Sequence, residues 1–195
     1  MKRCLALFVL LGGSVALAED RTPPSAELQS RMNGRFLLAE PRPVVETRLA
    51  SVVESAVAPM SFMIRPIARS RISPIVYFCA EYALSLDASE VNVRCDTRPA
   101  VQRKLDGSDG PLRGLDGEPV QVKVELEPAA VSLRFATPNG ERSTTYRFDD
   151  KDGMEITARI TSSQMAAPLE WKIRYRRASQ PNATSTPASA RPDVP

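Results

Sequence analysis

Histidine is absent from this 195-residue sequence, and no other feature of the composition excludes as much chemistry. Without an imidazole, histidine-based acid–base catalysis, histidine metal sites and most hydrolase triads are excluded. Aromatic residues are also few, at 6% of the chain, and there is a single tryptophan. The hydrophobic content of 43% is nevertheless enough for one globular domain.

The chain also has no strong excess of positive or of negative charge. The 26 basic and 23 acidic residues give a net charge of +3, and Lys2 and Arg3 lie in a segment that we expect to be removed. The remaining chain is therefore close to neutral, whereas nucleic-acid-binding domains carry a clustered basic surface. The sequence predicts no nucleic-acid partner.

Residues 1–18 have the three parts of a secretory signal peptide: a basic start, an apolar run over residues 4–11, and small residues before a cleavage point after Ala18. The apolar run is shorter than the roughly 20 residues that a membrane-spanning helix needs. Cys4 precedes that run, whereas a lipid-attachment cysteine would follow it. We therefore predict export to the periplasm or the extracellular space, with no transmembrane anchor.

Only three cysteines are present, and removal of Cys4 with the leader would leave Cys79 and Cys95. Disulfides persist in the compartments to which such a leader directs a protein. If the chain turns at residues 87–90, however, strand alternation places Cys95 opposite Tyr82 and not opposite Cys79. The register thus argues against a bridge, and the sequence leaves the pairing open.

Two polar, proline-containing segments flank the patterned part of the chain. Residues 19–33 predict a flexible linker, and residues 179–195, with four prolines, predict a disordered tail. A short strand begins at Gly34, and from Val45 the apolar residues recur at spacings of three and four. We predict a helical lid over residues 45–72, inserted after the first strand.

After Pro74 the period of the apolar residues changes from helical to two. At least seven strands follow in up-and-down order, joined by short turns such as Pro138-Asn139-Gly140. Such strands pack either as a sandwich or as a sheet closed on itself, and short connections favour the closed sheet. The predicted fold class is all-β, an up-and-down antiparallel meander barrel of 8–10 strands over residues 34–178.

This order of elements resembles the fatty-acid-binding-protein branch of the calycin barrels, which also include the lipocalins. Gly34-Arg35-Phe36 is similar to that group's opening Gly-x-Trp strand, and residues 116–178 resemble its second half. The resemblance, together with the lipocalin-like leader, implies an exported protein of bacterial type that reversibly binds a lipophilic molecule beneath the lid. Members that grip a fatty-acid carboxylate carry Arg two positions before the tyrosine of the last strand. Here Tyr175 is present, but Ile173 stands where that Arg would be.

The residues leave two functions open. In the first, the barrel holds a small hydrophobic molecule by apolar burial, with tyrosine hydroxyls orienting it and no charge at the inward positions. In the second, the same side chains fill a ligand-free barrel, and the protein is a structural or interaction protein of the cell envelope. The predicted ligand-binding residues are two from the lid and ten from the strands: Phe62, Met63, Phe78, Tyr82, Val122, Leu133, Phe135, Tyr146, Ile156, Trp171, Ile173 and Tyr175.

No pattern indicates catalysis or a metal. The sequence has no Gly-x-Ser-x-Gly elbow, no Cys-x-x-Cys and no phosphate-binding loop. The acidic, glycine-rich residues 105–118 lack the ligand spacing of a calcium loop. We predict no catalytic residues, no metal and no cofactor; the sequence does not determine the oligomeric state.

Three arginines fall on the second lid helix, at Arg65, Arg69 and Arg71. They would suit a basic portal for acidic ligands or a membrane surface. The near-neutral chain favours the simpler interpretation, a solvated helix face.

Overall fold

The structure is a computed structural model that describes residues 23–96, 98–114, 117–165 and 167–179. The predicted leader and nearly all of the predicted tail lie outside the described residues. Export and the disordered tail therefore stay predictions.

Ten strands form one sheet in which every neighbouring pair is antiparallel. Their order across the sheet is β4-β3-β2-β1-β10-β9-β8-β7-β6-β5, so the hairpins follow the chain except where β1 pairs with β10. The strands are β1 Gly34–Leu38, β2 Glu81–Leu86, β3 Glu90–Cys95, β4 Val101–Lys104, β5 Leu112–Arg113, β6 Pro119–Glu127, β7 Ala130–Thr137, β8 Gly140–Phe148, β9 Gly153–Ser162 and β10 Leu169–Arg177.

The sheet curls back on itself, as shown by side-chain contacts between strands that are distant in the sheet order. Tyr82 on β2 and Tyr146 on β8 have ring centroids 5.8 Å apart. These strands are four steps apart in the sheet, which at about 4.8 Å a step would separate them by about 19 Å if the sheet were flat. The all-β meander is confirmed, as a curled half-barrel.

The curl does not close completely. β4 and β5, the two ends of the sheet, are not paired with each other in the described part of the chain. A cleft of about 810 Å³ lies between the end of β4 and β6, lined on one side by residues 104–106 and on the other by residues 123–126. The complete closure that the short hairpins favour is thus replaced by an open seam.

Three helices and a short 3₁₀ turn accompany the sheet: α1 Ala26–Met32, α2 Arg42–Val57, α3 Arg65–Ile72 and the turn Ser73–Ile75. The prediction of a helical insertion after β1 is confirmed by α2 and α3. Residues at a spacing of four bury one stripe of α2 in the core, namely Val45, Leu49, Val53 and Val57. In the described residues, no helix has the length and apolar character needed to cross a bilayer.

The predicted linker over residues 19–33 is wrong for its described part, which contains α1. Ser25 caps this helix by accepting a hydrogen bond of 3.1 Å from the backbone N–H of Leu28. Leu28 and Met32, one turn apart, are both buried in the core. Asn33 then exchanges two hydrogen bonds with the backbone of β2. Two buried apolar residues and a cap therefore make this polar segment part of the domain.

Cys79 and Cys95 form a disulfide with their Cα atoms 5.6 Å apart. The predicted register is confirmed, because Cys95 pairs with Tyr82 across β2 and β3. The bridge forms despite that register because β2 begins only at Glu81, later than the alternation predicted. Residues 76–80 lie outside the strand, so Cys79 is free of the alternation that would have turned it away from Cys95.

Candidate functional site

A cavity of about 220 Å³, here called the mouth cavity, lies where β2, β3 and β4 face β7 and β8 across the half-barrel. It is lined by Tyr77, Tyr82, Val93, Cys95, Arg98, Pro99, Val101, Leu133, Phe135, Arg142, Thr144 and Tyr146. Four of the predicted ligand-binding residues are among these. The volume corresponds to about seven water molecules, which suits a small molecule or one end of a longer one.

Strand alternation places these side chains at the cavity. On β7, Leu133 and Phe135 are two residues apart and pair with Thr144 and Arg142 of β8. On β8, Tyr146 continues the same inward row. Because side chains alternate between the faces of a strand, the residues that bound the cavity follow directly from the register.

Two arginines contact one tyrosine ring at the edge of the cavity. The guanidinium carbon of Arg98 lies 3.6 Å from the centroid of Tyr77, and that of Arg142 lies 4.4 Å from it. Arg142 also lies 5.8 Å from the ring of Trp171 and donates one 3.4 Å hydrogen bond to the carbonyl of Ile75. In the described residues neither guanidinium has a carboxylate partner, so two positive charges converge without compensation.

The prediction that inward positions carry no charge is therefore wrong. On β8 the inward-facing row of alternate residues contains Tyr146 and Thr144 and extends one alternation further, to Arg142. Arg103 on β4 is a second case, being only 6% exposed and paired in register with the fully buried Val91. Its Nη1 donates a 3.1 Å hydrogen bond to the carbonyl of Gly110, while Nε and Nη2 have no hydrogen-bond partner in the described residues.

Buried tyrosines supply the neutral polar groups of the site. Burial raises the pKa of Tyr82, Tyr146 and Tyr175 above the ordinary tyrosine value, and neighbouring phenols add to the effect. Each hydroxyl therefore keeps its proton at neutral pH. The Tyr175 hydroxyl is bonded to the backbone of Cys79, and Tyr175 does not line the mouth cavity, whereas Tyr82 and Tyr146 do.

The remaining predicted strand residues lie outside the mouth cavity. Ile156, Trp171, Ile173 and Tyr175 are buried in one continuous core cluster, so the interior behind the cavity is filled by side chains. Phe78 lies in a groove between α2 and α3, with the guanidinium of Arg42 5.7 Å from its ring. Val122 is half-buried on β6, opposite Phe135.

The two lid residues are not where the prediction placed them. Phe62 is 80% exposed and Met63 is 71% exposed, in the loop between α2 and α3. The prediction of these residues as part of the interior wall is wrong. The helical spacing shows that an apolar stripe exists but not which apolar residues of the connecting loop reach the core.

Cys79, Cys95 and Asp96 are the one group of potential metal ligands in the described residues. The two sulfur atoms are joined to each other, so no thiolate is present. Both carboxylate oxygens of Asp96 accept backbone hydrogen bonds of 2.7 Å, from Ala80 and Glu81. This group holds the start of β2 in place.

Sequence reasoning missed Tyr77, Arg98 and Arg142. Arg142 had a usable signal, because it continues the row of Tyr146 and Thr144 by one more alternation. Arg98 had none, since it lies in the loop between β3 and β4 and reaches Tyr77 only in the folded chain.

Comparison with protein-family models and with curated proteins gives no match. Solved structures with a similar course of the chain include a Schistosoma mansoni fatty acid binding protein in complex with arachidonic acid. It is 15% identical, with a TM-score of 0.43, over 78% of this chain and 99% of that one. A second is lipid binding protein 8 of Caenorhabditis elegans, at 10% identity and a TM-score of 0.44, over 80% and 99%. These values describe a likeness in the path of the backbone and assign no ligand to this chain.

Proposed function

We propose that this protein is an exported carrier or sensor that binds a small hydrophobic molecule with an anionic end at the mouth cavity. The observation that carries the proposal is the pair of uncompensated guanidinium groups, Arg98 and Arg142, on the ring of Tyr77. An apolar wall with a few convergent polar groups is the ordinary composition of a ligand site.

The chemistry of the site suits a carboxylate or sulfonate joined to an apolar group. Guanidinium groups donate paired hydrogen bonds to such anions. The Tyr82 and Tyr146 hydroxyls add neutral donors, while Leu133 and Phe135 contact the apolar part. Because the interior behind the cavity is filled, the proposed ligand is short or binds by one end only.

Export is supported by two features that do not depend on the ligand. The first is the signal-peptide pattern of residues 1–18. The second is the Cys79–Cys95 disulfide, since such bonds persist in oxidising compartments. Expression with the native leader tests this directly. The exported product should have the mass of a chain that begins at Glu19, and it should contain no free thiol.

Titration of Trp171 fluorescence tests the ligand, since this ring lies 5.8 Å from the Arg142 guanidinium. Octanoate should bind saturably and more tightly than octanol, which has the same length and no charge. Arg142→Gln should weaken octanoate binding by about tenfold or more, the size expected for a lost charge-assisted hydrogen bond, and leave octanol unchanged. Arg174→Gln is the matched control, because Arg174 is exposed on the outer face of β10.

One alternative function is favoured by a specific observation. Buried side chains around Trp171 and Ile173 fill the interior behind the mouth cavity. A filled interior is expected for a ligand-free envelope protein that acts through its outer surface. The same titration separates the two proposals. If the Trp171 emission does not change on addition of octanoate, octanol or an anionic naphthalene dye, the carrier function is rejected in favour of this alternative.

A further inference from the structure

One edge of β6 has no strand beside it along most of its length. β5 pairs only with the first two residues of β6, so residues 121–127 have no strand partner on that side in the described part of the chain. Glu118 directs its carbonyl to the same side, where it accepts a 2.8 Å hydrogen bond from the N–H of Gly114. Backbone groups alternate between the two edges of a strand, so the residues whose N–H and C=O groups face the open side are Val122, Val124 and Leu126.

This edge borders the cleft of about 810 Å³ between β6 and the end of β4, here called the seam cleft. On the β4 side, the backbone N–H of Lys104 donates to the carboxylate of Asp109, in the loop that follows β4. Natural sheets block further strand pairing by covering an edge with a loop. Of the two walls of the seam cleft, the β6 wall is therefore the one that can accept another strand.

Arg103 on β4 is buried with too few hydrogen-bond acceptors. Its side chain is 7% exposed, and its Nε and Nη2 have no hydrogen-bond partner in the described residues. Asp109 lies 3.9 Å from Nη1, which is too far for a hydrogen bond. Buried donors without acceptors are costly, and native proteins supply them with partners. A carboxylate on the inward side of β4 would satisfy this guanidinium.

The chain enters the described domain at the seam cleft, because Pro23 lines it together with Lys104 and Leu126. β4 and β6 are eight antiparallel steps apart in the sheet, so both strands run in the same direction. Lys104 ends β4 and Leu126 is next to the last residue of β6, so Pro23 lies where both strands end. Residues 19–22 precede Pro23 once the leader is removed, and a path along the cleft would make them parallel to β6.

We propose that residues 19–22 occupy the seam cleft as a parallel strand beside β6, with the carboxylate of Asp20 bound to the guanidinium of Arg103. Four residues of a parallel strand span about 13 Å. That length covers four residues of β6, and the cleft is lined by four of them, residues 123–126.

Charge complementarity sets the register of this added strand. When Glu19 lies opposite Lys123, Arg21 lies opposite Glu125, so each side chain faces the opposite sign on the outer side of the sheet. Alternation then turns Asp20 inward, to the side of the sheet on which Arg103 is buried.

The backbone groups agree with the same register. In a parallel pair, the N–H groups of Val124 and Leu126 donate to the carbonyls of Glu19 and Arg21. These are two of the donors that β6 directs to its open side. One short segment thus satisfies the strand edge, the outer charges and the buried guanidinium together.

This inference goes beyond the proposed ligand function, and it rests only on the proposed removal of the leader. Neither Arg103 nor any residue of β6 lines the mouth cavity. Arg142→Gln should therefore leave the added strand unchanged. The mass of the exported chain shows first whether it begins at Glu19, so a failure of leader removal is recognised before the strand is tested.

Disulfide cross-linking of the exported full chain tests the register. The double variant Arg21→Cys, Glu125→Cys should form a second disulfide under mild oxidation, because opposed residues of neighbouring strands have Cβ atoms about 5 Å apart. Arg21→Cys, Gln121→Cys is the matched control, since Gln121 is on the same face of β6 but about 13 Å from Glu125 along the strand. Peptide mapping without reduction identifies the bridge and confirms that Cys79 and Cys95 remain joined.

Amide hydrogen exchange at Val124 and Leu126 tests the contact between Asp20 and Arg103. Asp20→Asn should raise both exchange rates by about tenfold or more, the size expected when a charge-assisted hydrogen bond is lost. In an Arg103→Gln background, the same substitution should have no further effect. Glu19→Gln is the control and should raise the rates by about fivefold at most, because an exposed ion pair contributes little.

Three results would overturn the proposal. The first is equal cross-linking of the Glu125 and Gln121 pairs with position 21. The second is exchange at Val124 and Leu126 that Asp20→Asn leaves unchanged, since it would assign Arg103 to a solvent anion. The third is a doubling of mass together with protection of these two amides that rises with protein concentration, since it would assign the β6 edge to a second copy of the chain.

Discussion

The hydroxyl of Tyr175 donates a 3.0 Å hydrogen bond to the backbone carbonyl of Cys79, and it accepts one of 3.4 Å from the N–H of the same residue. The two residues are 96 positions apart, and both groups are buried. Cys79 lies before the first residue of β2, and a side chain satisfies its backbone groups in place of a neighbouring strand. One phenol thus joins the last strand to the disulfide at the entry to β2.

Removal of that hydroxyl should destabilise the protein. Tyr175→Phe leaves a buried N–H and a buried carbonyl of Cys79 without partners, and we expect a loss of about 1–3 kcal/mol in the free energy of unfolding. Tyr146→Phe is the control, since its hydroxyl has no hydrogen-bond partner in the described residues and its loss should change stability by less than about 0.5 kcal/mol. Urea unfolding measures both, and equal losses would contradict the role assigned to Tyr175.

The Cys79–Cys95 bridge should contribute measurably to stability. It closes a loop with a sequence separation of 16, for which restriction of the unfolded chain predicts about 3 kcal/mol. The unfolding midpoint should fall on reduction, and the variant Cys79→Ser, Cys95→Ser should unfold like the reduced protein and be insensitive to reductant. Coincident unfolding curves with and without reductant would show that the bridge is absent in solution.

Glycine at position 140 should be required for the hairpin between β7 and β8. A Cβ atom placed there would lie 2.3 Å from the carbonyl oxygen of Thr161, and that backbone atom can move only by shifting β9. Gly140→Ala should cost about 1–3 kcal/mol. Gly110→Ala is the matched control, since a Cβ there meets nothing within 4 Å. Thermal unfolding of both variants measures the difference in stability. Equal stabilities of Gly140→Ala and Gly110→Ala would contradict the prediction.

Anion binding at the mouth cavity should be nearly independent of pH from about 6.5 to 9. The chain has no histidine, and the arginines stay charged throughout this range. The raised pKa values of Tyr82 and Tyr146 keep both phenols protonated. Binding of octanoate should weaken only as the ligand itself takes up a proton, below about pH 5. A transition near pH 7 would point to a group outside this set.

The sheet was predictable because its information is local. Alternation from Val120 to Leu126 and turns such as Pro138-Asn139-Gly140 involve residues close in the chain, and each hairpin follows from its own sequence. α1 was missed because its signal is weak: two buried residues, Leu28 and Met32, make a stripe too short to stand out.

The sequence by itself determined the succession of strands, the place of the helical insertion and the register that sets Cys95 opposite Tyr82. All of these depend on neighbours and on a period of two or of about 3.6 residues. Only the tertiary structure decided that Cys79 escapes that register, that the seam between β4 and β5 stays open, and that Arg98 and Arg142 meet on Tyr77. These depend on how far the sheet curls, and curling is the sum of twists along all ten strands, which no single segment encodes.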